Sequence, residues 1–272
     1  MASRADKPIG IFDSGVGGLT VFKEIRKALP EEDLVYLGDT ARVPYGSKSA
    51  ATVVRYALED ANFLLRCGVK MIVVACNTAS ALSLQVLKEK LSLPVVGVVE
   101  PGARMASQLS RGRVGIIGTE GTILSEAYPK AIRLFNPSVS VFSQACPLFV
   151  PLVEEGWLDN EVVTKVAEYY LRDLREREVD TLVLGCTHYP LLKRTIRRVM
   201  GDQVAIIDSA EAVCGEVRSI LEKEDQRRSQ GHKGTARIYV TDLPRRFERV
   251  GRLFLDGDLP PIEQVELEEG PR

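Results

Sequence analysis

Apolar and polar positions follow two alternating periods along the chain. Short runs rich in β-branched residues stand at 8–12, 33–37, 71–75, 95–99, 114–117, 139–142, 181–185, 204–207 and 237–240. Between most of them lies a segment whose apolar positions recur at helical spacing. This strand–helix–strand rhythm predicts an α/β fold with mostly parallel sheets flanked by helices.

The rhythm repeats. Ile9-Gly10-Ile11-Phe12 followed by Asp13-Ser14-Gly15 has a counterpart in Val114-Gly115-Ile116-Ile117 followed by Gly118-Thr119-Glu120-Gly121. Val73-Val74-Ala75-Cys76-Asn77-Thr78 matches Val183-Leu184-Gly185-Cys186-Thr187-His188, each copy preceded by an amphipathic helix and by a valine, Val69 or Val179. The offsets of the two matches differ by no more than an ordinary loop insertion. Two pseudo-symmetric α/β domains are expected, one from residues 1–98 with 209–272 and one from 99–208. After a helix at 212–222, the charged stretch 222–234 reads as a solvated connector. A strand at 236–241 and a helix near 244–255 are assigned to the first sheet, and the acidic tail from Asp256 is expected to fray.

Composition narrows the function. A chain of 272 residues, 45% of them apolar, can bury an ordinary globular core. Its 36 basic and 37 acidic residues nearly cancel, and no single-sign block is long enough to follow a phosphate backbone, so nucleic acid is not expected as a partner. No apolar run approaches a membrane span, and the start lacks a signal-peptide pattern, so a cytoplasmic location is expected. The five cysteines, Cys67, Cys76, Cys146, Cys186 and Cys214, are scattered and odd in number, as suits reduced thiols. With no CxxC pair and two histidines, no metal site is expected.

In open α/β sheets ligands collect beyond the carboxyl ends of the strands, where helix N-termini offer unpaired N–H groups. Cys76 and Cys186 both fall there, each expected to have a helix N-terminus and polar neighbours that favour a thiolate. A buried free cysteine is more often a small hydrophobe, and Cys67, Cys146 and Cys214 are read that way. Equivalent placement in two repeats sets the other two apart. Two thiols from two halves could serve as base on one face of a stereocentre and acid on the other.

The loop Asp13–Gly18 lacks the endings of a nucleotide-binding loop. Its glycines could bring backbone close to a polar substrate contacted by Asp13 and Ser14, or merely make a tight turn. The segment 39–46 could present backbone N–H groups at the same sheet edge, or be only a proline-glycine turn. Glu154 and Glu155 read by default as an exposed acidic helix end, and His232 as part of the charged loop.

The strings FDSGVGG (12–18), DTARVPYG (39–46), ACNTAS (75–80), GVVEPG (97–102) and LGCTHYPL (184–191) resemble the glutamate racemases, enzymes that supply D-glutamate for bacterial peptidoglycan. The likeness runs through essentially the whole chain. It implies an active site in the cleft between the two domains, a small-molecule substrate, glutamate, no cofactor, and dimerisation. It further implies that Cys76 deprotonates D-glutamate and Cys186 L-glutamate, with Asp13, Glu154 and His188 as auxiliary groups. The substrate-binding positions it implies are Asp13, Ser14, Tyr45, Gly46, Asn77, Thr78, Thr187 and His188. The alternatives are an aspartate or hydantoin racemase, a one-cysteine decarboxylase, or a nonenzymatic binding protein that retains the fold.

Overall fold

The computed structural model describes residues 4–229, 231–255 and 259–268. Its strands are β1 (Ile9–Asp13), β2 (Leu34–Gly38), β3 (Met71–Val74), β4 (Val95–Gly97), β5 (Arg113–Gly118), β6 (Ser140–Ala145), β7 (Thr181–Gly185), β8 (Ala205–Asp208), β9 (Ala236–Val240) and β10 (Ile262–Gln264). The helices are α1 (Leu19–Ala28), α2 (Ala50–Arg66), α3 (Asn77–Lys90), α4 (Val99–Leu109), α5 (Glu120–Leu124), α6 (Ala127–Phe135), α7 (Phe149–Glu154), α8 (Glu161–Glu176), α9 (Lys193–Met200), α10 (Ser209–Lys223) and α11 (Pro244–Gly251). None of the described helices is long and apolar enough to cross a membrane.

Among the described residues two sheets result, ordered β10-β9-β2-β1-β3-β4 and β6-β5-β7-β8, and every strand pair in them is parallel. The order β2-β1-β3-β4 recurs as β6-β5-β7-β8, so the sequence repeat is also a repeat of topology. β1, β2, β3 and β7 are buried along their whole length. Helices cover both faces of such strands, which is why they read as unbroken apolar runs. β6 is an edge strand and carries exposed positions.

Three expectations need correction. The run 95–99 is a strand only to Gly97, because the Val99 N–H turns to Ser80 Oγ at 3.3 Å and α4 begins there. Pro101 fits that first helical turn, where its missing N–H costs nothing. The tail does not simply fray, since Ile262–Gln264 pairs with β9 and the Val265 N–H continues to Val240 O at 2.9 Å. Residues 256–258 and 269–272 of that tail lie outside the described residues.

The third correction concerns the connector after α10, which is anchored as well as solvated. Gln226 is buried, and its carbonyl accepts from Lys70 Nζ at 2.8 Å. The same ammonium donates to Glu32 at 2.5 Å and to Ala5 O at 2.8 Å, while Arg228 pairs with Asp33. The connector thus closes over the amino ends of the first sheet's strands, opposite the edge where the cysteines lie. His232 bonds Asp33 there at 3.1 Å.

Breaking a buried ion pair strands the remaining charge, at about 3–5 kcal/mol. Lys70→Met should lower the urea midpoint by a corresponding amount with little change in slope, and adding Glu32→Gln should recover part of it. An unchanged midpoint in the single variant would show that Lys70 does not anchor the connector.

Candidate active site

Cys76 is the N-cap of α3, and its Sγ accepts the Ala79 N–H at 3.5 Å. Asn77 and Thr78 open the helix, so their N–H groups have no acceptor within it and remain available to an anion. Tyr128 on α6 donates its hydroxyl to Asn77 Oδ1 at 2.6 Å, which fixes the amide. The helix end does not make Cys76 acidic. Burial and then the charge of Asp13 push its thiol up to about 12, against the opposing Ala79 and Ser14 hydrogen bonds. The expectation that its surroundings favour a thiolate is therefore corrected: desolvation outweighs the dipole.

The surroundings of Cys186 differ. No α-helix starts at Cys186; a turn leads into a short 3₁₀ segment, Tyr189–Leu192, and α9 begins only at Lys193. The expected helix dipole is replaced by a side chain, His188, whose Nδ1 lies 3.9 Å from Cys186 Sγ. His188 Nε2 contacts Glu154 Oε1 at 3.2 Å, and Arg246 of α11 donates to Glu154 Oε2 at 3.1 Å. Burial disfavours charge on the imidazole, but hydrogen bonds to Cys186 and Glu154 and their negative charges prevail, raising its pKa from 6.5 to about 10. The hydrogen bond with His188 in turn holds the Glu154 carboxyl below its usual range. Glu154 is thus a partner of the site's histidine rather than only an exposed helix end.

Asp13 closes β1 and is fully buried. Its Oδ2 accepts the Gly15 N–H at 3.0 Å, while Oδ1 has no hydrogen-bond partner among the described residues. Burial raises its pKa, opposed chiefly by the His188 charge. A buried carboxylate oxygen left open is suited to a cationic group of a ligand. The glycines of the loop serve close approach: a Cβ on Gly17 would stand 2.4 Å from Thr187 Oγ1 and 2.5 Å from His188 Nδ1.

One cavity is lined by Ser14, Tyr45, Gly46, Cys76, Asn77, Thr78, Cys186, Thr187 and His188, joined by Val43, Pro44, Thr119, Val150 and Gly185. Asp13 and Glu154 stand outside that lining, and Glu154 borders a neighbouring cavity with Arg246. The Tyr45 side chain is buried, with its hydroxyl bonded to Asp39 and Asp60.

The sequence places Thr119 in a turn but marks neither it nor Arg246 as a site residue. For Thr119 a signal existed, because the repeat that aligns Gly10 with Gly115 also aligns Ser14 with Thr119. Thr119 Oγ1 lies 2.8 Å from Thr78 Oγ1, joining the tips of the two sheets. Nothing local marks Arg246, whose partner is distant in the chain.

A family model described as Asp/Glu/Hydantoin racemase matches residues 9–217. The chain belongs to that racemase family. It is 59% identical over 263 residues to the glutamate racemase of Geobacter metallireducens, covering 96% of this chain and 97% of that protein. Among solved structures, glutamate racemase isoform RacE1 of Bacillus anthracis superposes with a TM-score of 0.92 at 40% identity, covering 96% of this chain and 98% of that one. The Francisella tularensis glutamate racemase, solved in complex with D-glutamate, gives 0.91 at 38% identity, covering 97% and 99%. The resemblance read from the motifs is borne out, as is the α/β fold with mostly parallel sheets.

The chain contains two histidines, so their imidazole signals can be followed separately by NMR. In this racemase-family chain His188 should stay protonated until about pH 10, and Glu154→Gln should lower that value. A folded pKa above the unfolded one means that the stabilisation is complete below the unfolded value, about 6.5, and is lost as pH rises through about 10. Glu154→Gln should therefore shrink the fall in stability across that window. A wild-type His188 titrating near 6.5 would contradict the arrangement.

Proposed function

We propose that this chain is a glutamate racemase that interconverts L- and D-glutamate by proton transfer between Cys76 and Cys186, without a cofactor, and supplies D-glutamate to the cell wall from the cytoplasm. The observation that carries the proposal is that two thiols, one following β3 and one following β7 at equivalent places in the repeated strand order, line a single cavity. Membership in a racemase family and near-full-length similarity to glutamate racemases support the choice of reaction and substrate.

Inversion needs a base on one face of the α-carbon and an acid on the other. Cys186 takes the α-proton of L-glutamate; the C–H electron pair stays on carbon as a carbanion, and Cys76 delivers its thiol proton to the opposite face, giving D-glutamate. The reverse reaction exchanges the roles. A Cys76 held as a thiol is ready to donate, and the cationic His188 ring beside Cys186 offsets the negative charge on that side. The open Asp13 oxygen receives the substrate ammonium, whose charge counters the effect of Asp13 on Cys76. The Asn77 and Thr78 N–H groups and Thr187 hold carboxylate, with Ser14 beside them. Tyr45 and Gly46 set the length that separates glutamate from aspartate.

Dialysed, chelator-treated protein should racemise glutamate and leave aspartate essentially untouched, as chiral chromatography would show. A requirement for pyridoxal phosphate or metal would contradict the mechanism, and equal turnover of aspartate would contradict the substrate. Serine is a much poorer base than cysteine near neutral pH, so Cys76→Ser and Cys186→Ser should each lose about 10²–10⁴-fold in racemisation. Elimination of HCl from β-chloroglutamate needs only removal of the α-proton. Cys76→Ser should retain elimination from the L-configured analogue and Cys186→Ser from the D-configured one. Equal action of both variants on one enantiomer would show that the thiols are wrongly assigned.

A further inference from the structure

Behind the Tyr45–Gly46 turn lies a group of charges that the proton transfer does not use. Asp39 follows β2, Arg42 stands in the loop before the turn, and Glu59 and Asp60 project from α2; all three carboxyl side chains are buried. Arg42 donates from Nε to Asp39 Oδ2 at 2.6 Å and from Nη2 to Asp60 Oδ1 at 3.2 Å, pairs with Glu59 through Nη1, and lies over the Tyr56 ring at 4.1 Å. Thr241, just past β9, donates to Asp39 Oδ1 at 3.0 Å. One guanidinium therefore faces three carboxyl groups.

The Tyr45 hydroxyl supplies the constraint. It lies 2.5 Å from Asp39 Oδ2 and 2.9 Å from Asp60 Oδ2. A phenol has one proton to donate and otherwise only accepts. With both aspartates ionised, one of these two contacts would have no proton in it. Asp39 is the better compensated of the two, holding the short Arg42 bond and the Thr241 hydroxyl, whereas among the described residues Asp60 has, besides Tyr45, the longer Arg42 contact. The missing proton therefore belongs on Asp60 Oδ2, and the bonds run in one direction, from Asp60 to Tyr45 Oη and from Tyr45 to Asp39.

We propose that Asp60 is a positioning residue, which in its protonated form donates to the Tyr45 hydroxyl and so holds the Tyr45–Gly46 backbone in place at the wall of the substrate cavity. Burial and the Asp39 charge push the Asp60 carboxyl well above the usual carboxylate range, against Arg42, as this placement of the proton requires. The position of the turn matters because a Cβ on Gly46 would stand 2.6 Å from Thr119 Cβ, so the turn already touches the opposite sheet's loop. Small displacements there alter the cavity. The effect on catalysis rests on the glutamate racemase reading above, whereas the location of the proton does not.

The test compares Asp60→Asn, which keeps an N–H donor toward Tyr45 without a titrating group, with Asp60→Ala, which has none. Losing a buried hydrogen bond of this kind corresponds to roughly a tenfold effect. Asp60→Ala should raise KM for glutamate about tenfold with a smaller change in kcat, and Asp60→Asn should stay within about twofold of wild type. Tyr45→Phe should resemble Asp60→Ala. In infrared spectra of the folded proteins, wild type minus Asp60→Asn should show a protonated-carboxyl C=O band at neutral pH, whether or not the protein turns over glutamate. An Asp60→Asn variant as impaired as Asp60→Ala, an unimpaired Asp60→Ala, or an absent carboxyl band would each overturn the proposal. An inactive wild type with the band present would instead sink the catalytic reading and leave the proton where it is placed.

Discussion

The site depends on the contact between the turn after β1 and the turn after β7. Gly17 carries no side chain where any Cβ would collide with Thr187 and His188, and Thr20 Oγ1 reaches across to Thr187 O at 3.2 Å. Protein interiors are close-packed, so an added methyl group at such a seam must displace the Thr187 and His188 side chains from their places. Because that gap stays closed, the carboxyl ends of the two sheets share one cavity. Cys76 and Cys186 then line the same space, as the proposed two-thiol transfer requires, and Asp13 comes near enough for its charge to be felt at Cys76 and at His188.

The two halves repeat in topology and differ in chemistry. Cys76 has a buried setting and a neighbouring carboxylate, which keep it a thiol despite the helix N-terminus beside it. Cys186 has instead a histidine that Glu154 and Arg246 hold from behind. A racemase must run in both directions, so exact symmetry of its two bases is not required. What matters is that each face of the substrate meets a group able to exchange a proton, and that substrate charge can shift the balance between the two. The ammonium that would occupy the open side of Asp13 is suited to that role.

Much of this was legible in the chain. Strands buried on both faces carry continuous apolar runs, so β1, β3 and β7 stood out, and the repeat singled out Cys76 and Cys186 among five cysteines. Other features were hidden for physical reasons. β10 is three residues long in an acidic context, and only pairing with β9 makes it a strand. The absence of a helix start at Cys186 follows from the turn through Thr187 and His188, which local propensity does not encode. Arg246 and the Asp39–Asp60 pair acquire meaning only when distant segments meet. The connector after α10 looked solvated because its charges are many, yet its Gln226 carbonyl accepts from buried Lys70 and its Arg228 pairs with half-buried Asp33.

The central claim is that separate bases serve the two faces of the α-carbon, and the fate of the α-hydrogen tests it most directly. L-glutamate should be incubated in deuterium oxide and stopped early, with deuterium measured separately in the recovered L-glutamate and in the D-glutamate formed. Two opposed thiols deliver a solvent-derived deuteron only to the face opposite the one deprotonated. The D-glutamate should therefore carry α-deuterium almost completely, while the remaining L-glutamate stays nearly unlabelled. Equal labelling of both enantiomers from the earliest times would point to a single base serving both faces and would contradict the account.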